Sequence, residues 1–320
     1  MRTKNELYQE ALRTVARRRQ TARAKAEDAR AEAEAAVPGL RHAEEEVRVR
    51  GIRCALAGAA GKDRTDAAAA LTDARKKLAD LLASSGRPAD ALEPHFTCRL
   101  CEDTGIVDGH TCSCVHKVMQ QLRRSEIEAL SSLSISSFDT MELRYYPNTM
   151  DAQNGVNVRA YMGRLLDGLK QYAEDFSPTE NESLMLIGNA GLGKTHAALA
   201  IAGLVLEQGH DVIYVSSPDF FGKIEASRFD PSGDADTLLR TASTADLLIL
   251  DDLVTPYFIT VFYSLLNNRL GAGLPTIITT NITDGALLEK RYTEKISSRL
   301  SAFIPFRFLG EDIRPQKAAE

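Results

Sequence analysis

The sequence predicts an α/β fold: a parallel sheet covered by helices, preceded by charged helices and a small cysteine-rich module. Three observations carry that expectation. From about residue 155, short and nearly continuous apolar runs alternate with helical stretches: SLMLIG, THAALAIAGLVLEQG, DVIYVSS, ADLLILDDL and PTIITTN. Such runs suit strands buried on both faces, as in parallel sheets. Before them, residues 98–114 (CRLCEDTGIVDGHTCSC) hold four of the chain's five cysteines. Earlier still, residues 3–85 are crowded with Ala, Arg, Glu and Leu, all good helix formers.

The charged start reads as one long helix and two shorter ones, broken at VPGL (37–40) and AGAAGKDR (57–64). Leu40, Val47 and Cys54 recur every seven residues, and Leu71, Ala74, Leu78 and Leu81 follow three-to-four spacing. The expected element over residues 1–92 is a helical hairpin or thin coiled coil with too little apolar surface for a large core. Cys54 is expected to be a buried helix position. VARRRQTARAK reads as a solvated helix face or as a contact surface for a protein or DNA. GAAGKD (58–63) is excluded as a phosphate loop: its glycines are three apart, Asp63 follows the lysine, and no strand precedes it.

Of 320 residues, 44% are hydrophobic and 26% charged, an ordinary composition for a folded chain of two or three domains. The net charge of −5 is uneven: residues 1–92 carry 19 Lys and Arg against 14 Asp and Glu, about +5, leaving about −10 for the rest. Any nucleic-acid contact must therefore come from a local patch. No apolar run approaches the roughly 18–20 residues that span a bilayer. The start, MRTKNELYQEALRTVARRRQ, has no apolar segment of the secretory kind. The expectation is a cytoplasmic protein with no membrane partner, in a compartment where clustered cysteines bind metal or do redox work.

Cys98 and Cys101 form a C-x-x-C pair, and Cys112 and Cys114 a C-x-C pair after a loop containing Gly105 and Gly109. Two short knuckles can present four thiolates tetrahedrally, which suits structural zinc. His110 and His116 are possible substitutes for a cysteine, and an iron–sulfur cluster is the other metal reading. A redox pair lacks the strand–helix setting that activates a thiol. The expected divisions are 1–92 (helical), 93–130 (metal module), 131–154 (connector) and 155–320 (sheet domain).

GNAGLGKT, Gly188 to Thr195, matches G-x-x-x-x-G-K-[ST] between an apolar strand and a helix. Backbone N–H groups of Gly188, Asn189, Ala190, Gly191, Leu192 and Gly193, with the following helix start through His196, would surround phosphate oxygens. Lys194 would meet the β- and γ-phosphates, and Thr195 would give a hydroxyl to Mg²⁺. DLLILDD ends a strand in two acids: Asp251 is placed to hold Mg²⁺ and Asp252 to polarise the attacking water. Asn281, ending PTIITTN, could orient water, or it is a turn asparagine. Arg299 and Arg314 are candidate cations toward a γ-phosphate, with surface ion pairs as the alternative.

The order phosphate loop, LLILDD, TTN, SRL and GEDIR resembles the AAA+ ATPases, and within them the DnaC/DnaI/IstB group of helicase loaders and transposition helpers. TCRLCEDTGIVDGHTCSC resembles the zinc-containing part of DnaI-type and clostridial DnaC-like loaders. The resemblance implies an AAA+ P-loop sheet and ATP or ADP as the ligand. It makes Lys194 and Thr195 the Walker A pair, Asp251 and Asp252 the Walker B pair, and Asn281 sensor 1. Arg299 becomes an arginine finger and Arg314 the sensor-2 arginine. Relatives commonly have glycine where this chain has Val254, an acid at Pro256 and arginine at Lys295. Hydrolysis is therefore expected to be slow and coupled to assembly.

The function implied is loading of a DnaB-type hexameric replicative helicase onto single-stranded DNA by a self-associating ATPase. The alternatives are an IstB-like helper of a transposase, a P-loop kinase, and a nucleotide switch that barely hydrolyses. In SSPDFFGKIEASRF, Phe221 or Lys223 is a candidate for a pore-facing contact with single-stranded DNA, with Phe220 and Arg228 beside them. Phenylalanines in the core are the other reading.

Overall fold

The helix-forming start yields α1 (Lys4–Ala36), α2 (Leu40–Ala59) and α3 (Thr65–Ser84). Thr3 opens α1 with a reciprocal cap: its hydroxyl accepts from Glu6 N–H at 3.2 Å, and its own N–H donates to the Glu6 carboxylate at 2.7 Å. Pro38 and Gly39, the latter at φ 85°, end α1 and turn the chain into α2. The computed structural model describes residues 1–61, 63–131, 134–227, 234–253 and 259–315. It divides into two units, Leu12–Val115, and Met1–Ala11 with His116–Glu320. No helix of the described residues is long and apolar enough to cross a membrane.

In the Leu12–Val115 unit α2 packs along α3 as the expected hairpin. Arg50 on α2 donates to the Ala70 carbonyl on α3 at 3.0 Å. The buried apolar cluster there is small, comprising Ala33, Val37, Leu40, Leu82 and Leu92. Cys54 is half-buried rather than buried, because the hairpin is too thin to close over that position. Hairpin β1 (Ile106–Val107) and β2 (His110–Thr111) follows, and then the first residues of α4 (Ser113–Leu130).

The other unit holds a short hairpin of β3 (Met150–Asp151) and β4 (Val156–Asn157), then α5 (Val158–Glu174) and the main sheet. The sheet strands are β5 (Leu184–Ile187), β6 (Val212–Ser216), β7 (Leu247–Asp251), β8 (Thr276–Thr280) and β9 (Ile304–Arg307). Between them run α6 (Lys194–Glu207), α7 (Ser217–Ala226), α8 (Asp234–Thr244), α9 (Ile259–Gly271) and α10 (Gly285–Leu300). All strand pairs are parallel, in the order β6-β7-β8-β5-β9. β8 thus lies between the strand entering the phosphate loop and the strand ending in two acids.

Strand periodicity builds two cores. Leu184, Leu186, Tyr214, Leu247 and Ile249 face α5 and α6, whereas Met185, Ile213, Val215, Leu248 and Leu250 face α7 to α10. β9 was not expected, since its run IPFR contains a proline and is largely exposed. At a sheet edge only one side of the strand needs partners, so proline is tolerated there.

Arg269 on α9 is fully buried and ties the second core together. It donates to the carbonyls of Ala242 and Ala245 at 2.8 Å, to Pro275 O at 2.6 Å and to the Thr276 hydroxyl at 2.9 Å. Burial lowers its pKa to about 10. Arg269→Met should leave these acceptors without partners and cost about 3 kcal/mol or more. Urea unfolding measures this; a loss under about 1 kcal/mol would mean that the arginine is not a structural anchor.

Candidate functional site

The loop from Gly188 to Thr195 leaves β5 and enters α6. Gly191 and Gly193 sit at φ 78° and 89°, a region that residues with a Cβ avoid. Gly191 is also crowded, because a Cβ there would overlap the Asp312 carboxylate. The Gly191 carbonyl accepts from Ile313 N–H at 3.1 Å, so the segment carrying Arg314 is pinned to the loop.

Lys194 is 7% exposed, and its ammonium donates to Gly188 O (2.8 Å), Asn189 O (2.7 Å) and Asn281 Oδ1 (2.8 Å). Burial lowers its pKa to about 8, while the nearby Asp251 and Asp252 carboxylates oppose that shift. Strand parity puts Asp251 on the α6 side of the sheet, with Leu247 and Ile249. The Thr195 hydroxyl meets its two oxygens at 3.0 and 3.1 Å. Tyr214 donates to Asp251 at 2.8 Å from β6, and Thr279 at 2.6 Å from β8.

Asp252 leaves the strand at φ 54°. Its N–H donates to Thr279 Oγ1 at 2.9 Å, so one threonine hydroxyl positions both acids. The Asn281 amide donates to Asp252 Oδ1 at 3.3 Å while its oxygen accepts from Lys194. Burial, then the Asp251 charge, raises the Asp252 pKa.

Lys194, Thr195, Asp251, Asp252, Thr279 and Asn281 line one cavity of about 550 Å³, within the size range of small-ligand sites. Asn189 adjoins it through its carbonyl on Lys194. The cavity also takes in Ala190, Gly191, Leu192, Gly193, His196 and Arg314. His196 Nε2 lies 2.8 Å from the Thr140 hydroxyl. Arg314 is at the rim, its side chain 70% exposed.

Arg299 is elsewhere. It lies on α10 over the Tyr263 ring, 4.1 Å from its centroid, and donates to the Tyr263 hydroxyl at 2.7 Å and to Asn267 at 2.9 Å. Phe220 and Phe221 are 2% and 3% exposed in the α7–α10 core, where Phe221 packs edge-on to Phe262 at 5.8 Å. Phe221 therefore presents no ring to a DNA base, and the pore-facing expectation is corrected for it; Lys223 is exposed. Arg228, Val254 and Pro256 lie outside the described residues.

Two residues of this site went unnoticed in the sequence. Tyr214 reads as one more apolar residue of a β-strand. Tyr146, fully buried and donating to Leu192 O at 2.9 Å, supports the loop from before the sheet. Its only sequence signal is an aromatic pair inside a polar connector.

Cys98, Cys101, Cys112 and Cys114 converge, with all four sulfurs within 4.8 Å of one another. Cys98 and Cys112 sulfurs are 3.8 Å apart, and Cys101 and Cys114 3.5 Å. Tetrahedral zinc with bonds near 2.3 Å needs edges of about 3.8 Å, so the donor set fits the ion. Buried Asp103 accepts from Thr97 N–H at 2.8 Å and Cys98 N–H at 2.9 Å, fixing the first knuckle. Neither His110 nor His116 joins the set among the described residues.

Residues 167–287 match the family described as IstB-like ATP binding protein. This segment is similar to the IstB-like ATP-binding family. It takes in the phosphate loop, both acids and Asn281, and leaves out the cysteines, Arg299 and Arg314. The chain is 36% identical over 66 residues to the uncharacterized protein YdaV of Escherichia coli strain K12, covering 21% of this chain and 26% of that one. It is 31% identical over 104 residues to an ATP-binding protein in an insertion sequence of Mycobacterium tuberculosis, covering 31% and 41%. It thus spans less than half the length of these curated relatives. The crystal structure of the DnaC helicase loader aligns at 23% identity and a TM-score of 0.42, covering 52% of this chain and 99% of that one.

A phosphate loop whose lysine has a pKa near 8 should show pH-dependent affinity for nucleotide. Anionic phosphates raise that pKa, so binding takes up a proton when pH exceeds about 8, and affinity falls as pH rises through that value. Calorimetry in two buffers of different ionisation enthalpy at pH 8.5 should detect this uptake in wild type and lose it in Lys194→Met. Equal uptake by both proteins would assign the proton to another group.

Proposed function

We propose that the chain is a magnesium-dependent ATPase of slow turnover that delivers a DnaB-type hexameric helicase to single-stranded DNA. The observation that carries the ATPase reading is the bridge Lys194–Asn281–Asp252 beside the Asp251 and Thr195 pair. Lys194 would trade carbonyl partners for phosphate oxygens. Asp252, held at the strand tip, would align the attacking water and draw its proton, with Asn281 fixing the direction of approach. Thr195 and Asp251 would hold Mg²⁺, which supplies charge neutralisation on the phosphates.

Asp252→Asn is expected to bind ATP within about threefold of wild type and to hydrolyse it at least about 100-fold more slowly. Phosphate release and calorimetry measure the two effects. Unchanged hydrolysis would favour the barely hydrolysing switch, and phosphate transferred to a small product would favour a kinase.

The charged helices and cysteine cluster preceding the ATP-binding domain support the loader. Arg299, preorganised on α9 and α10 away from its own cavity, is assigned to a neighbouring subunit's nucleotide on self-association. A transposase helper is the second reading, favoured by the relative in an insertion sequence. Size-exclusion with the host's DnaB-type helicase, with and without ATP, tests the loader. Co-elution lost on deleting residues 1–117 supports it, and co-elution with a transposase alone overturns it.

The cysteines are assigned to structural zinc. Purified protein should carry about one zinc per chain by elemental analysis, and Cys101→Ser should lower that occupancy. Iron with visible charge-transfer absorption would replace zinc by an iron–sulfur cluster.

A further inference from the structure

One motif is left over from the ATPase reading: the basic stretch of α1. Between Glu10 and Glu27 the chain carries six Lys or Arg and no Asp or Glu. Arg17, Arg18, Thr21 and Lys25 border an open groove of about 290 Å³ that His95 and Thr97 also line. The groove lies wholly within the Leu12–Val115 unit. Among the described residues, Arg17, Arg18 and Lys25 have no ion-pair partner, whereas Arg30 further along α1 is held by Glu44 at 3.0 Å. Arg17, Arg18 and Lys25 thus form a local positive field, on a chain of net charge −5, that an anion can neutralise.

We infer that this groove holds the sugar–phosphate backbone of single-stranded DNA. Arg17, Thr21 and Lys25 follow one helix face in steps of about 6 Å, at 1.5 Å per residue, so their donors form a row and not a point. A row of cations and hydroxyls suits successive phosphates along an extended chain. Among the described residues, no Phe, Tyr or Trp lines the groove. Binding is therefore through phosphates, independent of base and strongly dependent on salt. The inference takes from the loader reading only that single-stranded DNA is a partner, and the contact requires no nucleotide.

The test uses the full chain without nucleotide and a fluorescent 20-residue oligo-dT, followed by anisotropy across a salt series. Arg17→Gln, Arg18→Gln and Lys25→Gln combined should weaken binding at least tenfold. The slope of log affinity against log salt should flatten by about 2, at roughly 0.7 per lost phosphate contact. ATP affinity and circular dichroism should not change. Arg17→Lys with Arg18→Lys should retain binding within about threefold, which separates charge from folding. Unaltered affinity and slope in the triple variant would overturn the inference, as would no binding by wild type at low salt. Equal competition by a 20-base-pair duplex would overturn the single-strand assignment. Displacement of the oligonucleotide by polyglutamate at matched charge would make the groove an acidic-peptide site instead. Lys194→Ala should leave oligo-dT binding intact, so failure of the ATPase reading and failure of this one are distinguishable.

Discussion

The candidate site is organised around one buried carboxylate. Asp251 is 7% exposed at the end of a strand whose other residues are fully buried, and a charge removed from water there must be compensated. The compensation comes from three hydroxyls on three separate elements: Thr195 from α6, Tyr214 from β6 and Thr279 from β8. Each donor arrives because an apolar pattern elsewhere fixes its element. Burial of β6, β7 and β8 on both faces sets the register, and the register sets the carboxylate. A site with this construction is rigid before any ligand reaches it, which is the condition for electrostatic catalysis without reorganisation.

Thr279 extends that compensation one residue further. Its hydroxyl donates to Asp251 and accepts from the backbone of Asp252, whose φ of 54° turns it out of the strand line. Two neighbouring acids would otherwise point to opposite faces of the sheet. The left-handed residue breaks that alternation, and Asn281 captures the second carboxylate. Strain at Asp252 is thus tied to a specific geometric outcome, the convergence of both acids on the cavity of the phosphate loop.

Much of this was legible in the sequence because the relevant signals are local. A glycine-lysine-threonine loop between strand and helix, and two acids ending an apolar strand, announce themselves within a few residues. Four cysteines in seventeen residues do the same. What escaped depends on contacts distant in sequence. Tyr214 serves Asp251 from 37 residues away, and Tyr146 supports Leu192 across 46. β9 escaped because an edge strand need satisfy only one side, so its proline and exposed residues give no periodic signal. Phe221 was ambiguous for a related reason: an aromatic residue after a strand can stack on a base or fill a core, and Phe262, 41 residues on, decides it.

The positions of the cations have a consequence for turnover. Among the described residues of one chain, the cavity holds a single buried cation, Lys194, with Arg314 exposed at the rim. Lys194 already satisfies three acceptors, so it brings charge only by giving up bonds it holds. Transfer of a phosphoryl group spreads negative charge over three oxygens, more than one such lysine neutralises well. Arg299 could add to it but is held on α9 and α10 by an aromatic face and an amide, in a fixed pose outside its own cavity. A cation so fixed costs little entropy to use when a neighbouring site is brought against it. On the proposed reading, an isolated chain would therefore turn nucleotide over poorly until it assembles.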